Sequence, residues 1–323
     1  MSKFLLKRLR DLLISLFVVI TLVFFVFRLM PGDPTSAYVD GGFSIEARQM
    51  VIERFGLDQP VHVQFGRYLR NLMQGDFGRS FFYRRPANEV VGEKIVNTLV
   101  LMLPAVTAAY LIGVVGGTIL AWKRGTRFET VSIVVALFFR AAPVFFTGLL
   151  LLMLFAYQLG WLPHSGMRSP GYADTSVFLK FFSLDFLRHF VLPFSVATLY
   201  LLATPLLIMR NTLLETVGED YIDYCRARGL SERRVVFVHA CRNALLPVVT
   251  SAALSIGTAI GGFVVLEYIF GWPGLGREII LAAQRSDYPV AQFGLLLLAV
   301  TVMLMNLLAD LFYGYLDPRV RTA

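Results

Sequence analysis

The sequence predicts an all-α membrane protein with six transmembrane helices, and three observations predict it. The 323 residues are 56% hydrophobic and only 16% charged, with a mean hydropathy of +0.65, whereas a soluble domain carries about 25% charged residues. The apolar residues fall into six uncharged blocks: Leu12 to Phe27, Ile95 to Trp122, Ala141 to Leu162, Phe190 to Met209, Asn243 to Leu266 and Val290 to Ala309. A bilayer core about 30 Å thick needs roughly 20 helical residues. Five blocks reach that length alone, and the first reaches it with its flanks from Leu9 to Leu29. Lys and Arg are also unevenly spread. With the amino terminus inside, fifteen fall on inner segments and five on the two short outer loops, which places both termini in the cytoplasm.

The first block, with its basic start, could be a cleaved signal peptide. Its apolar run exceeds the usual h-region and Phe27-Arg28-Leu29-Met30-Pro31 offers no small-residue cleavage site, so it reads as a retained helix. Residues 1–94 then hold this helix and one extracytoplasmic segment, which opens on the turn-forming Pro31-Gly32-Asp33-Pro34. Ser44 is placed to cap a helix that carries Ile45, Met50, Val51 and Phe55 and stops at Gly56. Asp58-Gln59-Pro60 starts a second, with Val61, Phe65, Tyr68, Leu69 and Leu72 at helical spacing up to Gly75. Two such short amphipathic helices cannot form a core alone, so they are expected against the outer ends of spans.

Residues 95–318 form the core, with spans at about 95–122, 131–162, 188–209, 243–270 and 290–316 and a cytoplasmic loop at 210–242. Gly113 with Gly117, and Gly257 with Gly261, have the small-xxx-small spacing that lets helix backbones approach, for packing or for a dimer seam. Pro104, Pro143, Pro193, Pro205 and Pro247 lie in or at the ends of spans and free backbone carbonyls, as a transport pathway tolerates better than a simple anchor. The aromatic residues, 28 Phe among them, suit lipid-facing and packing positions. The net charge of +8 is spread over the loops with no basic block, so topology accounts for it and nucleic acid is not implied. Cys225 and Cys241 both fall in the inner loop, where thiols stay reduced.

Catalytic signatures are missing from the pattern. His62, His164, His189 and His239 are scattered without metal-ligand spacing, and none of the five lysines follows a phosphate-binding glycine run. If ATP drives the protein, another chain binds it.

The 210–242 loop is the most charged part of the sequence. It reads as helix, turn at Gly229, helix, with room for a docking surface. Tyr221-Ile222-Asp223-Tyr224-Cys225-Arg226-Ala227-Arg228-Gly229-Leu230-Ser231, followed by Arg242-Asn243-Ala244-Leu245-Leu246-Pro247, resembles the coupling segment of binding-protein-dependent ABC importer permeases. The resemblance is closest to the first (B-type) permease subunit of the dipeptide/oligopeptide/nickel branch. Asp223-Tyr224-Cys225 stands where the general family has E-A-A, and Gly229 precedes Pro247 by 18 positions rather than 13. Gly56-Leu57-Asp58-Gln59-Pro60, Gly75-Asp76-Phe77-Gly78-Arg79-Ser80, Phe270-Gly271-Trp272-Pro273-Gly274-Leu275-Gly276, Asp287-Tyr288-Pro289 and Leu316-Asp317-Pro318-Arg319 extend the likeness over nearly the whole chain.

The resemblance implies a type I ABC importer permease fold in a bacterial or archaeal inner membrane. Its expected partners are a second permease subunit, two ATPase subunits that bind ATP and Mg, and an extracytoplasmic solute-binding protein, so this chain needs no cofactor. It implies import of peptides or similar small solutes by alternating access. The implied ATPase-coupling residues are Glu219, Tyr221, Asp223, Tyr224, Ala227, Arg228, Gly229 and Ser231. An ATP-independent channel or an exporter subunit is the alternative, but it has no use for such a loop.

Charged residues deep in the spans, Arg140, Asp310 and Glu267, are candidates for the substrate path. Arg140 lies in the third span, with Asp310 in the sixth as a depth-matched partner; a stabilising ion pair or a snorkelling Arg140 is the structural reading. Glu267, near the outer end of the fifth span, could meet a peptide amino group or be a solvated or hydrogen-bonded carboxylate at the interface.

Overall fold

The computed structural model describes residues 2–29, 59–171 and 181–316, with side chains at 6–28, 59–171 and 181–308. The helix expected from Ser44 to Phe55 and the Pro31–Pro34 turn lie outside the described residues. In chain order the helices are α1 (Ser2–Leu29), α2 (Val61–Met73), α3 (Ala87–Trp122), α4 (Arg127–Ala141), α5 (Val144–Leu151), α6 (Leu184–Thr216), α7 (Asp220–Ala227), α8 (Glu232–Gly262), α9 (Val264–Ile269), α10 (Leu275–Gln284) and α11 (Tyr288–Leu316). Among the described residues the only β pairing is an isolated bridge between Arg79 and Pro86.

Among the described residues, five helices are long and apolar enough to cross a membrane: Leu6–Arg28, Ala87–Trp122, Leu184–Thr216, Glu232–Gly262 and Tyr288–Leu308. The third expected span, 131–162, is not a single helix. Arg127–Ala141 and Val144–Gln158 meet at a bend of 104°, and the count of six holds with this pair taken as one broken crossing. The cause is local. Pro143 has no N–H to continue the ladder, and its ring drives Ala142 into extended backbone at φ −65°, ψ 136°. Beyond α5 the chain widens into a π-helical stretch, Leu152–Gln158.

Span boundaries also move outward. α3 begins eight residues before the expected 95, α6 runs to Thr216 rather than 209, and α8 begins at Glu232 rather than 243. The charged loop therefore narrows to 217–231. The fifth span is interrupted at Phe263, where φ −108°, ψ 22° separates α8 from α9.

The chain divides into two compact units. The first comprises Leu99–Trp272 and Val302–Ala323. Here the small-residue pairs serve packing. A Cβ on Gly113 would stand 2.7 Å from Pro205 Cγ, and one on Gly117 2.8 Å from Met209 Cβ, so α3 and α6 touch backbone to backbone. Gly261 abuts Val302 at 3.3 Å, and Gly257 sits beneath Asn306. Leu120, Ala136, Ala203 and Leu206 fill the space among α3, α4 and α6. Polar groups find partners inside it: the Tyr110 hydroxyl lies 2.9 Å from Ser251 Oγ and 2.7 Å from Ser255 Oγ. Trp272, fully buried, packs on Phe186 and Phe190.

The second unit comprises Ser2–Thr98 and Pro273–Thr301. α2 is amphipathic as expected and lays its aromatic face on α1, with Phe24 5.1 Å from Phe65 and 5.5 Å from Tyr68 between ring centroids. Val23, Phe27, Val90, Val91, Leu275, Ile279 and Val290 form its apolar core. The segment after Gly75 is tied down by Asp287, whose carboxylate accepts from the Ser80 hydroxyl, from Phe81 N–H at 3.1 Å and from Phe82 N–H at 3.3 Å. Two of the sequence motifs, Gly75–Ser80 and Asp287–Pro289, thus meet as halves of one clamp. In the same unit Asn97 Nδ2 donates to Pro273 O at 2.9 Å and Leu275 N–H to Thr98 Oγ1 at 2.8 Å, which seats the start of α10.

Candidate functional site: the helical loop between the fourth and fifth spans

The loop is built as an extension of two long helices. α6 closes through successive turns at Val217, Gly218 and Glu219, each N–H bonded to a carbonyl three or four residues back. Glu219 has extended backbone, φ −84°, ψ 148°, and begins α7 without a side-chain cap. Asp220 and Asp223 in the first turn and Arg226 in the last oppose the helix dipole, which supports a helix this short.

α7 is held by one apolar residue. Ile222 is fully buried, and α7 packs on the start of α8, where Val235, Val236 and Ala240 are buried as well. Two polar ties fix the geometry. Asn243 Nδ2 donates to the Tyr221 hydroxyl at 3.0 Å. Arg226 donates to Asp223 at 2.8 Å and to Glu232 at 2.7 Å, stapling α7 to α8 across the turn. Burial pushes the Tyr221 phenol up, so it stays neutral and keeps its hydrogen at physiological pH. Gly229 makes the turn itself: its φ of +75° is costly for a residue with a Cβ.

The eight residues singled out by sequence separate into two roles. Glu219, Asp223, Tyr224, Ala227, Arg228, Gly229 and Ser231 are exposed, with Tyr224 64% accessible beneath the Arg228 guanidinium 5.8 Å from its ring centroid. Tyr221 is half-buried and bonded to Asn243, so it anchors the helix. The residues that build the platform, Ile222, Arg226, Glu232 and Asn243, are missing from the sequence-derived set. A lone isoleucine amid polar residues and the i, i+3 spacing of Asp223 and Arg226 are the signals that mark two of them.

A part-buried pair stands near the C-terminal end of α6. Glu129 accepts from Arg210 Nε at 2.7 Å and from Gly125 N–H at 2.6 Å, while Thr126 Oγ1 accepts from Glu129 N–H at 3.3 Å and caps α4. The pair locks the α3–α4 turn to the helix that leads into the loop.

Of the three span charges, Arg140 and Glu267 have described side chains. Arg140 lies in the last turn of α4, just before the Pro143 break, with its guanidinium 4.5 Å from the centroid of Tyr200. Tyr200 also meets Phe263 edge to face at 5.7 Å. Glu267 is 1% exposed, so it is a buried carboxylate rather than a solvated one at the interface; its N–H donates to Phe263 O at 3.1 Å. Asp310 lies in α11 with its side chain outside the described residues.

Residues 113–322 match the family described as binding-protein-dependent transport system inner membrane component, and residues 1–102 match the N-terminal part of that component. The chain is 40% identical to the di/tripeptide transport system permease protein DppB of Pseudomonas aeruginosa and 39% identical to the dipeptide transport system permease protein DppB of Escherichia coli K12, each over 99% of both chains. It is 34% identical to the glutathione transport system permease protein GsiC of Salmonella paratyphi A, again over 99% of both. Among solved structures, the inward-facing MetNI methionine ABC transporter superposes with a TM-score of 0.53 at 18% identity, over 71% of this chain and 96% of that one; at this identity the likeness concerns the fold. With six apolar crossings, a type I permease fold and a match spanning its length, the chain belongs to the family of binding-protein-dependent transport system inner-membrane components and is a permease subunit of an ABC importer.

Proposed function

We propose that this permease carries short peptides inward as one of two permease subunits of a heterodimer, driven by two ATPase subunits and supplied by an extracytoplasmic binding protein. The peptide assignment is supported by the relatives named for di- and tripeptide and glutathione transport, all matched end to end. The observation that carries the mechanism is the exposed α7 platform, fastened at one end to α6 and at the other to α8 through Ile222, Asn243 and Arg226. A short helix seated in an ATPase cleft and held this way passes a rigid displacement to two spans together, as alternating access requires. ATP and Mg belong to the partner subunits. Both termini and α7 face the cytoplasm in this reading, in keeping with the distribution of Lys and Arg.

Arg140 and Glu267 are the path candidates of this reading. Both lie beside breaks in their spans, at Pro143 and Phe263, where the regular helical ladder is interrupted. Asp310 completes the set by depth.

The test is purification of the tagged chain from its native membrane in mild detergent, with companions identified by mass spectrometry. A second permease and nucleotide-binding ATPases should accompany it, and deletion of residues 221–231 should remove the ATPases. A chain that purifies alone and transports on reconstitution would defeat the reading.

A further inference from the structure

Beside the outer part of α1 lies a cavity of about 60 Å³, partly open to the surface, that no part of the transport cycle above uses. Its polar lining is rich in donors: Arg28, Arg67, Tyr68 and Asn71, with Asp76 as its carboxylate. Its walls include Phe24, Phe77 and Phe293. Arg28 Nε is buried without a hydrogen-bond partner, although the guanidinium rests 5.3 Å from the centroid of Phe24. The Tyr68 hydroxyl is buried at the cavity wall, with Gln292 beside it. Burial pushes that phenol up to about 12, so it remains a donor.

Leaving a buried guanidinium nitrogen unsatisfied is costly, which marks a ligand that accepts from it and from the hydroxyl beside it. Two guanidiniums with a neutral hydroxyl suit a phosphate, whose oxygens take several charge-assisted bonds at once. The position selects the source. Arg28 ends the membrane-spanning stretch Leu6–Arg28, at headgroup depth, and Leu22 and Val26 on the same helix are exposed apolar surface on which acyl chains can lie. We propose that the cavity holds the phosphate of a phospholipid headgroup, from the leaflet in which the first span ends, between Arg28, Arg67 and Tyr68.

The test uses the intact transporter assembly, delipidated in detergent, with bound lipid counted by native mass spectrometry. Dioleoylphosphatidylglycerol is the probe, with phosphate-free dioleoylglycerol and inorganic phosphate as its comparators. Wild type should retain one more phosphatidylglycerol than either Arg28→Gln or Arg67→Gln, each weakening retention about ten-fold. Dioleoylglycerol should not be retained. Arg67 and Arg70 are both exposed on α2, and only Arg67 lines the cavity, so Arg70→Gln should behave as wild type. Equal retention by wild type and Arg67→Gln, or loss with Arg70→Gln as well, would overturn the site. Displacement of the lipid by millimolar inorganic phosphate would overturn the lipid source and assign the cavity to soluble phosphate.

Discussion

The Ser80 hydroxyl donates to the Asp287 carboxylate across 207 positions of sequence, and Asp287 is 1% exposed. The same carboxylate takes the N–H groups of Phe81 and Phe82, so a single buried anion orders the turn between α2 and α3. Ser80→Ala should cost about 1–3 kcal/mol, because it removes a charge-assisted bond inside the unit. Asp287→Ala should cost more, since it orphans three donors. The melting temperature of the purified protein should fall in that order.

The α3–α6 contact should be intolerant of added methyl groups. Gly117→Ala brings a Cβ within 2.8 Å of Met209 Cβ and against Leu206 O, so the helices must separate, at about 1–3 kcal/mol. Gly92, in the same helix, has nothing within 4 Å. Gly92→Ala should be neutral or stabilising by about 0.5–1 kcal/mol through helix propensity. A pair of thermal melts separates close packing from helix propensity.

The Glu129–Arg210 pair should show strong coupling in a double-mutant cycle. Side-chain exposure is 7% for Glu129 and 23% for Arg210, so breaking the pair should cost about 2 kcal/mol, below the ~3–5 kcal/mol of a fully buried one. Glu129→Gln and Arg210→Gln together should cost less than the sum of the single changes. Additive effects would mean that the pair is not a unit.

Gly229→Ala should leave room for its Cβ but strain the turn, by roughly 1 kcal/mol. The consequence should be functional as well as energetic. Peptide uptake per ATP hydrolysed should fall, because α7 no longer holds a fixed angle to α8. An unchanged ratio in proteoliposomes would count against a rigid α7.

Much of the fold is legible in the sequence because lipid imposes it: uncharged runs of about 20 residues have few alternatives to spanning helix. Gly113, Gly117, Gly257 and Gly261 are equally readable as close-approach positions. What escapes is decided by tertiary context. Five prolines mark possible breaks, yet Pro104, Pro193, Pro205 and Pro247 lie inside helices and only Pro143 turns the chain. The charges from Glu232 to Arg242 read as loop, but they lie on a helix continuous with the fifth span. Glu267 looks like an interfacial carboxylate and is buried. The Ser80–Asp287 clamp is invisible because nothing local links residues so far apart. In the 217–231 loop the exposed residues are found by motif, whereas Asn243, which bonds the Tyr221 hydroxyl, emerges only from the fold.

The central claim, that α7 is the surface by which ATPases move this permease, is tested most directly by site-specific photocrosslinking in native membranes. A photoreactive side chain replaces Tyr224, which is 64% exposed on α7, and in a control replaces Phe82, which is 57% exposed in the segment between α2 and α3. The account predicts a crosslink from position 224 to a protein with nucleotide-binding sequence, and none from position 82. ATPase captured at position 82 and not at 224, or at neither in membranes that import peptide, would contradict it.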